Sequence, residues 1–326
     1  EEDKKRITGI NAKGYMIHAP ELRPSVPYAY PLYKVHKLSQ EQLERKTVPP
    51  TRLVHATKEG PLYRLEKYVS PYVTQLSRKY CEEEFLLDTP DFISHIKNFN
   101  RKALTKPRRN SQLFTLDVAA LYPSIRPELA LTALQDALNN SMDYSLEMKD
   151  ALYEFTKLIF SESFVTYKGE GYINKEGIPT GNCISRQVAD VTMHWLLFKK
   201  VNKKIKNWNL IEFWKRFIDD VFGVWMGTVR QFTMFVELLN KLAEPYGIRF
   251  ADQQIGSSVN FLDLTLSLDS ENQIQYKLFR KETDARNYLR TDSFHPHHVF
   301  DSVAFSQMIR IIERNSQDHT CVEDLG

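Results

Sequence analysis

Hydrophobic positions recur along this chain in two rhythms, and the switches between them mark out its elements. Over residues 61–80, Leu62, Leu65, Tyr68, Val69, Tyr72, Val73 and Leu76 fall three and four residues apart, the spacing of one helix face. Pro71 inside that run predicts a bend or break, because proline has no amide to donate and its ring crowds the preceding turn. A second helix is predicted over 89–99, opened by Thr89 or Asp91. Residues 113–117, LFTLD, read as a short apolar strand ending on an acid. Pro127 and Glu128 open a helix that runs through Leu138, and 145–160 is amphipathic with Ser145 as its cap. Residues 164–174 alternate around Lys-Gly-Glu-Gly and predict a hairpin. A loop with Gly177, Pro179 and Gly181 then precedes a long helix carrying Val188, Val191, Trp195, Leu196 and Lys199. Residues 213–225 predict a second hairpin, and 229–242 a helix with Phe232, Phe235, Val236, Leu239 and Leu242 on one face. Alternation returns at 260–268 and 274–280, read as two strands around a polar turn, and a last helix begins near Asp301. No internal repeat or low-complexity segment interrupts this order.

The chain is organised around residues 213–225, FWKRFIDDVFGVW. Asp219 and Asp220 sit side by side in a run of strand formers, where an Asp-Asp pair suits a tight turn. The two charges repel, and a bound cation offsets that repulsion; a solvated acidic turn is the plain alternative. Asp117 ends a buried strand, and if the hairpin lies beside that strand, three carboxylates about a hundred residues apart in sequence meet at one sheet end. Upstream, aromatic Tyr28, Tyr30 and Tyr33 interleave with Lys34, His36 and Lys37, and TRLVHAT at 51–57 reads as a strand carrying Arg52. Two strands presenting Lys34, Lys37 and Arg52 suit a triphosphate, although a basic surface ribbon has the same composition.

Charge and cysteine content change the picture only locally. With 326 residues the chain can bury a sizeable core, and its net charge of +3 names no partner. Basic clusters at Lys106-Pro107-Arg108-Arg109 and at Lys199, Lys200, Lys203, Lys204 and Lys206 suit either phosphate contact or a solvated face. Cys81, Cys183 and Cys321 lie far apart and lack a metal-ligand spacing, so they are read as reduced thiols of an intracellular protein. His295, His297 and His298 in SFHPHHVF are read as a loop facing phosphate or solvent rather than as a metal site. No apolar run reaches the roughly 20 residues of a membrane span, and no signal peptide opens the chain. It starts at Glu1 without Met and is read as a piece of a longer protein.

Taken in order, Asp117, the GIPTG loop, FIDD and NFLDL resemble motifs A, B, C and the later palm motifs of right-hand reverse transcriptases. The nearest resemblance is to the Penelope-like retroelement group, in the same broad neighbourhood as telomerase. That group's Y-x-L-x-K-x-H-K segment is matched by Tyr30 to Lys37. Its later segments are matched by Phe261-Leu262-Asp263, by LFRKETDARNYL at 278–289 and by Ser293-Phe294-His295-Pro296. The resemblance covers roughly 27–300. Thr180 stands where many retroviral enzymes have Gln, and Leu53 where Pro commonly follows the Arg. The GIY-YIG endonuclease that such elements often carry is not in this sequence, so any endonuclease partner domain lies outside it.

The resemblance implies an RNA-directed DNA polymerase of α+β fold: a right hand with fingers, an antiparallel-sheet palm and the beginning of a helical thumb. The expected divisions are 1–110 for an N-terminal segment and fingers, 111–290 for the palm with a fingers insertion at about 128–175, and 291–326 for the start of the thumb. Two Mg²⁺ ions, with Mn²⁺ as a substitute, are implied as cofactors, because in-line attack by a 3′-hydroxyl needs hard cations in an oxygen cage. Asp117 and Asp219 are the implied bridging ligands, Asp220 a supporting acid and the Val118 carbonyl a further ligand. Lys34, Lys37, Arg52, Thr180 and Gly181 are candidates for the nucleotide. Phe217, Phe261 and Leu262 are candidates for primer and template support, and Tyr122 is placed under the incoming sugar. The implied partners are an RNA template, a DNA primer or target and dNTPs, with no membrane, and the implied site of action is the nucleus. Viral RNA-dependent RNA polymerases usually carry a second Asp four or five residues after the first. Here those positions are Leu121 and Tyr122, which argues against that alternative. A telomerase-like enzyme and a catalytically silent nucleic-acid scaffold stand as the others.

Overall fold

A computed structural model describes residues 6–10, 16–19, 26–34, 38, 40–58, 60–103, 111–280, 289–290, 292–317 and 322. In chain order these form β1 (Arg6–Ile10), β2 (Met16–Ala19), β3 (Tyr28–Tyr33), α1 (Gln40–Glu44), β4 (Thr51–Ala56), α2 (Tyr63–Tyr80), α3 (Thr89–Ala103) and β5 (Gln112–Val118). There follow α4 (Leu121–Ser124), α5 (Pro127–Asn140), α6 (Leu146–Ser161), β6 (Phe164–Tyr167), β7 (Glu170–Ile173) and α7 (Ser185–His194). The remainder is β8 (Ile211–Phe217), β9 (Asp220–Trp225), α8 (Val229–Ala243), β10 (Phe250–Gly256), β11 (Ser258–Phe261), β12 (Leu264–Leu268), β13 (Ile274–Leu278) and α9 (His297–Glu313). Two compact units share these elements in interleaved segments. One holds Glu1–Glu83, Ala119–Lys204 and Asn240–Arg249; the other holds Glu84–Val118, Ile205–Leu239 and Phe250–Gly326.

In the second unit the central sheet runs β10-β5-β9-β8, antiparallel throughout. Both faces are covered, which is why β5 and β9 read as nearly unbroken apolar runs. On one face Phe114 and Trp225 pack their rings against Phe232 and Phe235 of α8. On the other, Phe222 meets Phe92 of α3 and Phe261 of β11, with ring centroids 5.1 and 5.5 Å away. Gly223 lies where any side chain would collide: a Cβ there would stand 2.3 Å from the Phe114 ring and 2.6 Å from the Phe213 carbonyl. A smaller sheet, β11-β12-β13, completes this unit, and α9 is tied to it through Ser316, whose amide donates to the Tyr276 carbonyl at 2.8 Å.

In the first unit α2, α5, α6 and α7 pack on one another, and the same unit holds a sheet of order β4-β3-β6-β7. Ser145 caps α6 as expected, its hydroxyl accepting the Met148 amide at 3.3 Å. No described helix is long and apolar enough to cross a membrane. Cys81 and Cys183 are free thiols, and Cys321 lies outside the described residues.

Four expectations need correction. Helix α2 is not broken at Pro71: the proline sits on the exposed side, while fully buried Val69 and Val73 hold the turns on either side against the core. Residues 260–268 are not one strand but the hairpin β11–β12, turning at Leu262-Asp263. The long helix after the glycine loop is α-helical only to His194 and widens to a π-helix over Trp195–Val201. At that change the Trp195 amide is shared between the Thr192 and Val191 carbonyls. The last helix starts at His297 rather than near Asp301, so His297 and His298 open a helix, with Pro296 before them; all three of His295, His297 and His298 are exposed.

Candidate active site

The acidic hairpin forms as its sequence predicts. Strands β8 and β9 pair antiparallel with Phe217 opposite Asp220, leaving Ile218 and Asp219 as the turn. Strand β5 lies on the other side of β9 and places Asp117 directly opposite Asp220. Directly opposed residues of an antiparallel pair share a face, with Cβ atoms roughly 4.5–5.5 Å apart. The Val118 amide donates to the Asp219 carbonyl at 2.9 Å, which fixes the turn to the strand that carries Asp117. Asp117, Val118, Asp219 and Asp220 are therefore brought together in one unit, with the three acids half-buried and Val118 buried. Their hard oxygen donors fit a magnesium-type cation, and a group of like charges is what such a cation would relieve.

Ile218 takes a left-handed backbone, φ 57°, a conformation that a β-branched residue adopts only under constraint. The two-residue turn itself calls for a positive φ at its first residue, and the carbonyl of that residue is contacted by Arg216. Its Nη1 donates to the Ile218 carbonyl at 2.9 Å, and its Nε and Nη2 donate to Glu84 Oε1 at 3.3 and 2.8 Å. Both side chains of this ion pair are fully buried. The main chains are joined as well: the Arg216 amide donates to the Glu84 carbonyl at 2.8 Å and the Leu86 amide to the Arg216 carbonyl at 3.1 Å, so residues 84–86 cover the β8 edge. Sequence reading passed over this pair. Its local signal is faint: Lys215 and Arg216 sit side by side among the aromatic residues of β8, and they are the two positions of that strand that are buried.

A second turn of the same kind lies at Leu262, φ 54°, followed by Asp263. Here the acid is matched within the protein. Thr89 Oγ1 donates to Asp263 Oδ1 at 2.6 Å, Arg310 Nε to Oδ2 at 3.3 Å, and Arg314 Nε also donates to Oδ2. Burial alone would push this carboxyl up, but Thr89, Arg314 and Arg310 outweigh it and hold the pKa below its ordinary value. Phe261 is 3% exposed, inside the apolar core, so any support it lends a primer passes through the turn it carries. Leu262 and Phe217 are half-buried against the same core.

The other candidate residues lie in the first unit. Lys34 follows β3 and donates its amide to the Pro50 carbonyl at 2.8 Å; Arg52 is exposed on β4, opposite Leu32. Lys37 lies outside the described residues, as do the cluster at 106–109 and residues 281–288. The loop of residues 177–183 is pinned against β4. The His55 amide donates to the Thr180 carbonyl at 2.8 Å, and the Thr180 amide donates back to His55 Nδ1 at 3.2 Å. The Thr180 hydroxyl donates to the Leu53 carbonyl at 2.5 Å. Burial pushes the His55 imidazole below its ordinary value. From α2, buried Glu66 accepts the Cys183 amide and the Thr57 hydroxyl, each at 3.1 Å; burial raises its pKa, and those two donors partly oppose the rise. Gly181 (φ 109°) permits this contact, since a Cβ there would stand 2.3 Å from the His55 carbonyl oxygen. Tyr122, half-buried in α4, accepts the Ile178 amide on its carbonyl at 2.9 Å, so the loop also rests on the backbone that carries the ring.

No protein-family model and no curated protein matches the chain. Solved structures do. The apo telomerase of Candida tropicalis aligns with a TM-score of 0.59 at 12% identity, covering 95% of this chain and 56% of that one. The telomerase of Candida albicans in complex with a TWJ fragment of telomeric RNA aligns at 0.58 and 13% identity, covering 80% and 47%. The RNA-dependent RNA polymerase of a human picobirnavirus aligns at 0.55 and 12% identity, covering 85% and 53%. The chain spans about half the length of these proteins, and what it shares with them at such identities is a mixed helix and sheet polymerase fold.

Proposed function

We propose that this chain is the catalytic region of a template-directed nucleic-acid polymerase, and specifically an RNA-directed DNA polymerase. The observation that carries the reading is Asp117 set opposite Asp220 beside the Asp219 turn, on a fold shared with telomerase and a viral RNA polymerase. In this reading the β10-β5-β9-β8 sheet is the palm, β3, β4 and the helices around them belong to the fingers, and α9 begins the thumb. Asp117 and Asp219 would hold two divalent cations, with Asp220 and the Val118 carbonyl in support. Bound there, Mg²⁺ or Mn²⁺ would make the primer 3′-hydroxyl more acidic and stabilise the leaving pyrophosphate.

The chain's own residues do the rest. Three carboxylates on two paired strands keep their spacing without reorganisation, which is how a rigid site lowers a barrier. Lys34, Lys37 and Arg52 supply positive charge for a triphosphate, and the pinned loop with Thr180 and Gly181 offers backbone close to a nucleotide. The Tyr122 ring occupies the volume that a 2′-hydroxyl would need, which favours dNTPs over NTPs by steric exclusion. The motifs at 30–37, 261–263 and 293–296 favour a Penelope-like retroelement as the source, acting in the nucleus on an RNA template and a DNA primer or target. Primer extension on an RNA template with dNTPs, then with NTPs, each with and without Mg²⁺, tests the reading. Metal-dependent extension with dNTPs supports it, preference for NTPs supports a viral-type RNA polymerase, and nucleic-acid binding without extension leaves a scaffold.

A further inference from the structure

We infer that Arg216 is the positioning residue of the acidic turn. Its guanidinium, clamped by Glu84, holds the Ile218 backbone in the conformation that presents Asp219 and Asp220 for cation binding. The inference rests on the polymerase reading only for what the cation is used for.

Two fully buried opposite charges are poor evidence of stabilisation, because a well-packed apolar pair of equal volume does as well or better. A buried ion pair is explained when it fixes something an apolar pair cannot. Arg216 does so at the turn: its planar fork places Nε and Nη2 on one carboxylate oxygen of Glu84 and leaves Nη1 to donate to the Ile218 carbonyl at 2.9 Å. Glu84 is itself fixed on its other oxygen by the Trp214 indole Nε1, 3.3 Å away. The Glu84 carboxylate is thus held on both oxygens, and the guanidinium's remaining end is aimed at the residue of the hairpin turn with positive φ, Ile218 at 57°.

The consequence reaches the acids through covalent geometry. Ile218 is joined to Asp219, and Asp219 is tied through its carbonyl to the Val118 amide at 2.9 Å, one residue from Asp117. Without Arg216 the Ile218–Asp219 peptide loses the donor that fixes its carbonyl, and a reorientation there moves Asp219 relative to Asp117. Lysine cannot replace the arginine, because a single ammonium cannot span Glu84 and the Ile218 carbonyl with the fixed directions of a guanidinium.

The experiment uses the full chain and two variants, Arg216→Lys and Glu84→Gln. Mn²⁺ affinity is read by electron paramagnetic resonance of the free ion, amide hydrogen exchange at 217–221 by mass spectrometry, and folding by thermal melting. Loss of a partner behind a metal site typically lowers metal affinity about 10–100-fold, so Arg216→Lys should bind Mn²⁺ at least about 10-fold more weakly and exchange faster at the turn. Its primer extension should recover as Mg²⁺ is raised, with the dNTP KM at saturating Mg²⁺ unchanged. Glu84→Gln, which keeps an acceptor for Arg216, should shift both readouts the same way by less, and it decides the matter if Arg216→Lys does not fold. Mn²⁺ affinity and turn exchange like wild type in folded variants, with only the melting point lowered, would overturn the inference. Wild-type protein that binds Mn²⁺ but extends no primer sinks the polymerase reading instead, and the metal and exchange readouts still decide the role of Arg216.

Discussion

Replacing Gly181 by alanine should destabilise the loop against β4, and the size of the effect can be built from its parts. A left-handed backbone costs an L-residue about 1–2 kcal/mol, and Gly181 sits at φ 109°. The new Cβ would also meet the His55 carbonyl oxygen at 2.3 Å, a backbone atom that no rotamer change can move. Loop and strand must separate, and that strains the two bonds between His55 and Thr180, at 2.8 and 3.2 Å. Each intramolecular hydrogen bond contributes about 0.5–1.5 kcal/mol, so the sum is about 2–5 kcal/mol. Gly169 provides the control, with φ 85° but nothing within 4 Å of its Cβ position; Gly169→Ala should therefore show the strain alone, about 1–2 kcal/mol. Urea unfolding followed by tryptophan fluorescence reads the stability, and hydrogen exchange over 177–183 reads the loop. Equal losses in the two variants, or native exchange protection in Gly181→Ala, would show that the contact with His55 is not what the glycine serves.

Asp117→Asn and Asp219→Asn should each abolish primer extension while leaving duplex affinity nearly intact, because each removes charge from the proposed cation cage; wild-type-like extension by either variant refutes the assignment. Duplex binding should weaken steeply as salt is raised from about 50 to 200 mM, since lysine and arginine contacts release counterions; a flat salt dependence, measured by fluorescence anisotropy, would put the basic clusters in solvent. His55 should make the loop pH-sensitive: its folded pKa lies below its ordinary 6.5, so the unfolded state takes up protons more readily and stability falls as pH drops below that value. Protonation also removes the lone pair that accepts the Thr180 amide. His55→Gln should flatten the exchange rate of 177–183 between about pH 5 and 7, and an unchanged profile would exclude His55 as the source. Tyr122→Ala should admit NTPs markedly better with a smaller loss for dNTPs, and Tyr122→Phe should change little; the kcat/KM ratio for one dNTP and its matching NTP decides it.

Local rhythm carried much of the secondary structure and none of the long-range clamps. The apolar run at 113–117 and the hairpin at 213–225 were legible because buried strands demand unbroken hydrophobicity and an acidic turn interrupts it visibly. The β11–β12 hairpin was missed although its signal is present. Val259 and Phe261 are buried at odd positions, Leu264 and Leu266 at even ones, and such a change of parity across Leu262-Asp263 is what a two-residue turn leaves in an alternating pattern. Glu84 and Arg216, 132 residues apart, leave no periodic trace at all, and neither does the pinning of Thr180 by His55. Those contacts arise from topology, which local spacing does not encode.

The two turns at Ile218-Asp219 and Leu262-Asp263 place an acid in contrasting surroundings. Both set a branched apolar residue at positive φ, 57° and 54°, just before an aspartate, and the backbone alone does not distinguish them. Their surroundings do. Asp263 meets Thr89, Arg310 and Arg314, so its charge is answered by the protein, and its lowered pKa expresses that match. Its task is to tie α9 to the β11–β12 hairpin, and replacing it with alanine would leave two arginines without that partner. Beside Asp219, by contrast, Asp220 faces Asp117 across the ladder, acid against acid on one face of a sheet. Such an arrangement is destabilising in isolation, and a bound cation would relieve it. The same turn thus serves a fold where its acid is matched by arginine and, in the proposed reading, a reaction where its acid lies beside two others.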